Sequence, residues 1–198
     1  MTPSHAKSDL HFYLQSARDA LLWKLEGLSE YDARRPSTPT GTNLLGLVKH
    51  AAGVELGYLG ETFGRPSDEV LPSTEELAEA NADMWATADE TRADIVGLYQ
   101  RAWAHADATI DALPLDTVGR VPWWPGDRAE VTLHHAVVRV IADTQRHAGH
   151  ADILRELMDG SVGMGRNNTS MAPGDEVWWE EYRARLERAA REAPGGKS

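Results

Sequence analysis

The sequence predicts an all-α protein whose core is a bundle of four helices, and three observations predict it. Four long segments place apolar residues at alternating steps of three and four. No strand-like alternation runs longer than a few residues, and no internal repeat is visible. The segments are separated by stretches dense in Pro, Gly, Ser and Asn, which punctuate helices. Amphipathic helices of similar length bury their apolar stripes by packing against one another, which is the architecture of a bundle.

The first helix is expected over residues 8–28, with Leu10, Leu14, Ala17, Leu21, Leu25 and Leu28 on one stripe. "SEYDARRPSTPTGTN" then interrupts the pattern with two prolines and a glycine. The second helix starts near Thr42 or Asn43, either of which suits an N-cap, and reads "LLGLVKHAAGVELGYLGETFG" to about Phe63. Gly46, Gly53, Gly57 and Gly60 lower its intrinsic helicity but admit a neighbouring backbone closely, and Gly64 is the expected C-cap.

A third helical region lies between Ser73 and Leu113. "STEE" at 73–76 has the pattern of a capping box, and Ile95, Leu98, Ala102, Ala106, Ile110 and Leu113 form a later stripe. "PLDTVGRVPWWPGDRAE" reads as a loop carrying a Trp pair. The fourth helix is expected over residues 129–158, with Leu133, Val137, Val140, Thr144, His147, Ala151, Leu154 and Met158 inward. "DGSVGMGRNNTSMAPGD" ends it. A last short helix in "DEVWWEEYRARLERAAREA" and a disordered "PGGKS" tail follow. One domain is expected over residues 1–198, its bundle at about 8–159 and a C-terminal extension at about 160–192.

Composition excludes several classes of function. A net charge of −11, with the basic residues scattered, argues against nucleic acid, whose phosphates require a basic face. The absence of cysteine removes both a disulfide framework and a Cys-based zinc site. No apolar run approaches the length of a membrane span, and "MTPSHAKSDLHFYLQ" lacks the apolar core of a signal peptide. The expected location is the cytoplasm.

The chemistry concentrates in "DTQRHAGHADILREL", residues 143–157. Asp143, His147 and His150 stand at relative positions 0, 4 and 7, so on a helix they point within roughly 60° of one another. His50, flanked by Leu47 and Val54, is placed on the buried stripe of the second helix. A lone inward histidine is ordinarily a core histidine bonded to a carbonyl, and Asp143 alone suits a salt bridge with Arg139 or Arg146. Two inward histidines on separate helices with a carboxylate one turn away instead match how bundles build metal sites. Three such ligands leave an open position on the ion. His150 is open to three roles: fourth ligand, support for a ligand, or general base. His134 and His135 read as structural, while His5, His11 and His105 show no partner in the sequence.

"GTNLLGLVKHAAGVE" and "DTQRHAGHADILRELMDG", with "PGDEVWWEEYRARLE" as an addition, resemble the DinB-like superfamily of metal-dependent four-helix-bundle proteins. The resemblance covers nearly the whole chain. It implies helices running up, down, down, up, an extra C-terminal helix and a homodimer. It also implies metal ligation by His50, Asp143 and His147, where Asp143 stands at a position that is usually Glu in this branch. Members with known chemistry mostly use a low-molecular-weight thiol such as mycothiol, bacillithiol or glutathione, as S-transferases or thiol-dependent isomerases.

The expected function is therefore a divalent-metal-dependent transfer or activation of such a thiol toward an electrophilic substrate. Zinc, nickel, iron and manganese all suit the donor set. A cysteine-free chain must receive its sulfur nucleophile as a co-substrate, and His150 is expected to relay the proton. Trp123–Trp124 and Trp178–Trp179 are expected either to wall the cleft or to pack in a core or interface. Three alternatives share these residues: a metal- or small-molecule-binding protein linked to stress, a metal-dependent hydrolase acting without thiol, and a bundle whose site has decayed.

Overall fold

The computed structural model describes residues 3–194, and the protein is all-α apart from one small hairpin. Helix α1 spans Pro3–Trp23, α2 Glu30–Arg34, α3 Leu44–Leu59, α4 Thr74–Ala80, α5 Arg92–Ala112, α6 Leu133–Asp159 and α7 Glu176–Glu192. Strands β1 (Val118–Arg120) and β2 (Glu130–Thr132) pair antiparallel, Gly119 opposite Val131.

Local chemistry sets most boundaries. Asn43 is the N-cap of α3, its side-chain oxygen accepting from the Gly46 amide at 2.7 Å. Ser73 and Glu76 complete the expected capping box on α4, and Thr91 with Asp94 builds a second one on α5. Gly160, at φ 77°, ends α6, and Gly64, at φ 67°, closes the 3-10 turn Glu61–Phe63 after α3.

Four boundaries differ from the sequence expectation. Helix α1 begins at Pro3 and stops at Trp23, because the chain turns through residues 24–27 to Gly27 at φ 74°. Leu25 remains in the core from outside the helix. Helix α2 forms inside the proline-punctuated segment, where Ser29 caps it. The third region divides at Asn81, which takes the left-handed conformation at the end of α4. Residues 118–132, expected as loop and helix start, hold the hairpin, so α6 begins at Leu133 and Thr132 caps it. Apart from Pro194, the "PGGKS" tail lies outside the described residues.

Helix α3 packs on α5 and on α6, and α1 packs on α6. The core falls into two clusters. One gathers Leu21, Leu44, Leu45, Leu47, Ala51, Ile95, Tyr99, Ala151 and Leu154; the other gathers Leu14, Leu59, Ile110, Leu133, Val137 and Val140. Charges are built into this interior. Arg18 of α1 donates to both carboxylate oxygens of Glu55 on α3, at 2.9 and 2.6 Å, and to Asp107 on α5 at 2.9 Å. Arg155 of α6 donates to the carbonyls of Lys24 and Glu26, and Lys24 bonds Asp152 and the Gly163 carbonyl, fixing the α1–α2 and α6–α7 connections together. Such pairs are costly to break singly, since the remaining charge stays buried without its partner.

The α7 helix is different in kind. It contains no buried residue, and its ring contacts are internal: Trp178 stacks on Tyr182 at 5.3 Å between centroids, with the planes 7° apart.

Candidate metal centre

The two faces that α3 and α6 turn toward each other bring His50, Asp143 and His147 together. Asp143 and His147 are one turn apart on α6, and His50 reaches across from α3. Asp143 Oδ2 lies 3.4 Å from His147 Nε2 and 3.5 Å from His50 Nε2. The two imidazole rings are edge-to-face, 4.8 Å between centroids. One ligand atom from each residue falls within 4.8 Å of the other two, a spacing that could hold a metal ion. His50 is half-buried at 22% exposure, where its place on the apolar stripe predicted full burial, so the cluster sits at the edge of the interior.

The Oδ2 atom of Asp143 is buried and has no hydrogen-bond partner, and neither has Nδ1 of His147. A buried carboxylate oxygen left in that state is costly, and a cation shared with two imidazole nitrogens removes the cost. Arg139 approaches the other oxygen, Oδ1, at 3.9 Å, so the salt bridge foreseen for Asp143 forms on the side away from the histidines. Two imidazoles and a carboxylate are a donor set for zinc, nickel, iron or manganese. The residues present therefore fit a divalent ion.

Charge and hydrogen bonding reinforce one another at the cluster. Burial alone would lower the His50 pKa. It is outweighed by the nearby carboxylates, Asp143 within ion-pair distance and Asp83 in a hydrogen bond, and the pKa is raised to about 9. The imidazoles of His147 and His50 hold the Asp143 carboxyl far below the usual carboxylate range. Asp83 is likewise lowered, chiefly by its bond to His50.

Asp83 is the residue that sequence reasoning misses. Its Oδ2 is 2.5 Å from Nδ1 of His50, on the opposite edge of the ring from Asp143. Asp83 lies 33 positions from His50, in the non-helical connection between α4 and α5. No periodic pattern covers that stretch. The only local hint is that it follows Asn81, a residue suited to ending a helix.

His150 is exposed, and its ring stands 5.4 Å from that of His147. It lies beside the three-residue group without belonging to it. Its slight burial, then the neighbouring His147 and Arg146, lowers its pKa. Trp123 and Trp124 pack edge-to-face on Tyr58 of α3, and the Cζ of Arg139 lies 5.5 Å from the centre of the same Tyr58 ring. This Trp pair thus borders the α3–α6 face that carries the cluster. The rings of Trp178 and Trp179 instead meet each other and Tyr182 on α7. Of the remaining histidines, His134 and His135 are exposed. His11 pairs with Asp107 and Asp111, and His105 bonds the Arg65 carbonyl at 2.7 Å, so both have partners that the sequence did not reveal.

The family model described as Mycothiol-S-transferase matches residues 9–160. No curated protein matches the chain. The matched span contains His50, Asp83, Asp143, His147 and His150 and ends where α6 ends, before α7. With more than half its length matched, the chain belongs to the mycothiol S-transferase family, within the DinB-like superfamily.

Proposed function

We propose that the protein is a divalent-metal-dependent S-transferase that joins a low-molecular-weight thiol, mycothiol or a close analogue, to an electrophilic substrate. Its fold on this reading is a four-helix bundle of α1, α3, α5 and α6 running up, down, down, up, with α7 appended, in a single domain over residues 1–198. Support comes from the pairwise packing of α3 with α5, α3 with α6 and α1 with α6, and from the family. The observation that carries the functional reading is the buried Oδ2 of Asp143, without a hydrogen bond and within ion-pair distance of two imidazole nitrogens.

His50, His147 and Asp143 would each offer one ligand atom to the ion. A divalent ion bound there lowers the pKa of a coordinating thiol so that thiolate is available at neutral pH. The chain's own side chains do the rest. The charge of Asp143 would offset part of the ion's charge. His150, exposed beside His147, receives the thiol proton on a ring nitrogen and returns it to the leaving group. In the net reaction the S–H bond and the bond to the leaving group break, an S–C bond forms, and the leaving group departs protonated. The Trp123–Trp124 pair and Tyr58 form an aromatic border beside Arg139, on the Asp143 side of the site. We further propose that the protein works in the cytoplasm as a homodimer.

Elemental analysis of untagged protein, purified without chelator, tests the reading beside His147→Ala. About one equivalent of metal in the parent and little in the variant is the expected result. Turnover should then need the metal, an added thiol and His150, with His150→Ala retaining metal. A parent that takes up no metal even after reconstitution overturns the proposal. Turnover without thiol would instead favour a hydrolase.

A further inference from the structure

The position of Asp83 is too elaborately supported to be incidental. The turn after α4 folds back at Asn81, whose carbonyl accepts from the Met84 amide at 2.9 Å. Three residues of α3 and its cap then grip the next peptides. The Asn43 side chain donates to the Met84 carbonyl at 3.0 Å, and Lys49 Nζ donates to the Trp85 carbonyl at 3.1 Å. Lys49 also bonds Glu90, at the start of the next helical stretch. Gly46 is the third: a Cβ there would overlap the Met84 carbonyl group, so only glycine lets this peptide lie against the helix backbone.

The result is a carboxylate delivered to the rear edge of a ring whose front edge faces Asp143. When an imidazole donates Nδ1–H to a carboxylate, the tautomer is fixed, and the Nε2 lone pair is left pointing outward with greater basicity. The partner imidazole has no equivalent support, since His147 Nδ1 is buried without a hydrogen-bond partner.

We infer that Asp83 is a positioning residue of the metal centre, which orients His50 from behind, and that Gly46 sets its placement by admitting the Met84 peptide against α3. The inference rests on the metal reading above. It makes the α4–α5 connection part of the site, although none of its residues offers a ligand atom to the cluster. Two distinct disturbances should then have the same effect. One removes the carboxylate; the other leaves every ligand and the carboxylate in place but pushes the turn away.

The test is the dissociation constant for zinc and for cobalt, by chelator competition, in the parent, Asp83→Ala, Asp83→Asn and Gly46→Ala. Asp83→Ala should weaken binding about 10- to 100-fold. Asp83→Asn, which keeps a neutral acceptor of similar shape, should fall between it and the parent. Gly46→Ala should weaken binding in the same direction, and the cobalt visible spectrum should change in each variant. Measured above about pH 9.5, where the His50–Asp83 charge pair no longer stabilises the parent, the melting temperature of metal-free Asp83→Asn should stay near that of the parent, which separates positioning from loss of fold. Parent-like affinity and spectrum in both Asp83 variants overturn the inference while leaving the metal centre standing. A parent that binds neither ion overturns both.

Discussion

His50 is held from two sides in the metal-free protein, by Asp83 at one ring nitrogen and Asp143 near the other. That arrangement has a measurable consequence for stability. The folded pKa, about 9, exceeds the ordinary value of 6.5, so the folded state binds the proton more tightly than the unfolded chain. The contribution is fully present below pH ~6.5 and is lost as pH rises through about 9; its size is on the order of 2 kcal/mol. Urea denaturation with chelator present, at pH 6 and pH 9.5, should show this fall, and His50→Ala should flatten it. An equal fall in the variant would assign the pH dependence to other groups. His50, Asp143 and His147 were legible as one group because helical spacing and the family resemblance both single them out, and the structure brings the three together. Asp83 was not, because a hydrogen bond formed across 33 residues through an irregular turn leaves no period in the sequence.

At the scale of elements, stripes and caps were the readable features. The apolar stripe of α5, the Asn43 cap and the Ser73–Glu76 box all stand where pattern places them. The hairpin was unreadable for a simple reason: each strand has three residues, too few to show alternation. Its last residue, Thr132, serves two elements at once, ending β2 and accepting from the His135 amide as the N-cap of α6. Thr132→Ala should therefore cost about 1 kcal/mol in chemical denaturation, the usual loss for a cap. Because the cap bond holds only the first turn, amide exchange in the variant should rise first in residues 133–136. Uniformly faster exchange along the whole of α6 would contradict a local capping role.

At the scale of the whole chain, the protein divides energetically rather than evenly. Residues up to the end of α6 carry both core clusters and the buried Arg18–Glu55 pair. Helix α7 has no buried residue, and its ring stack and pairs such as Arg191 with Glu187 lie within the helix. The family match stops at the same place. Deleting residues 175–198 should shift the melting temperature by no more than about 2 °C. It should leave metal stoichiometry unchanged. A larger drop would show that α7 contributes to the folded core. The sequence marked this segment as a short last helix but carried no sign that none of its residues is buried, because that depends on where the preceding sixteen-residue connection lets it lie.

The three residues proposed to hold the ion come from chain positions far apart, His50 on one helix and Asp143 with His147 on another. An ion held by all three is available only to the folded chain, because unfolding scatters them. Metal supply then acts on the protein's survival as well as its chemistry. A free-ion concentration one hundred times the dissociation constant adds about 2.7 kcal/mol to the free energy of unfolding. In a cell where that ion runs short, the first sign would be a shorter half-life of the protein, and degradation would remove the unloaded molecules while sparing the loaded ones.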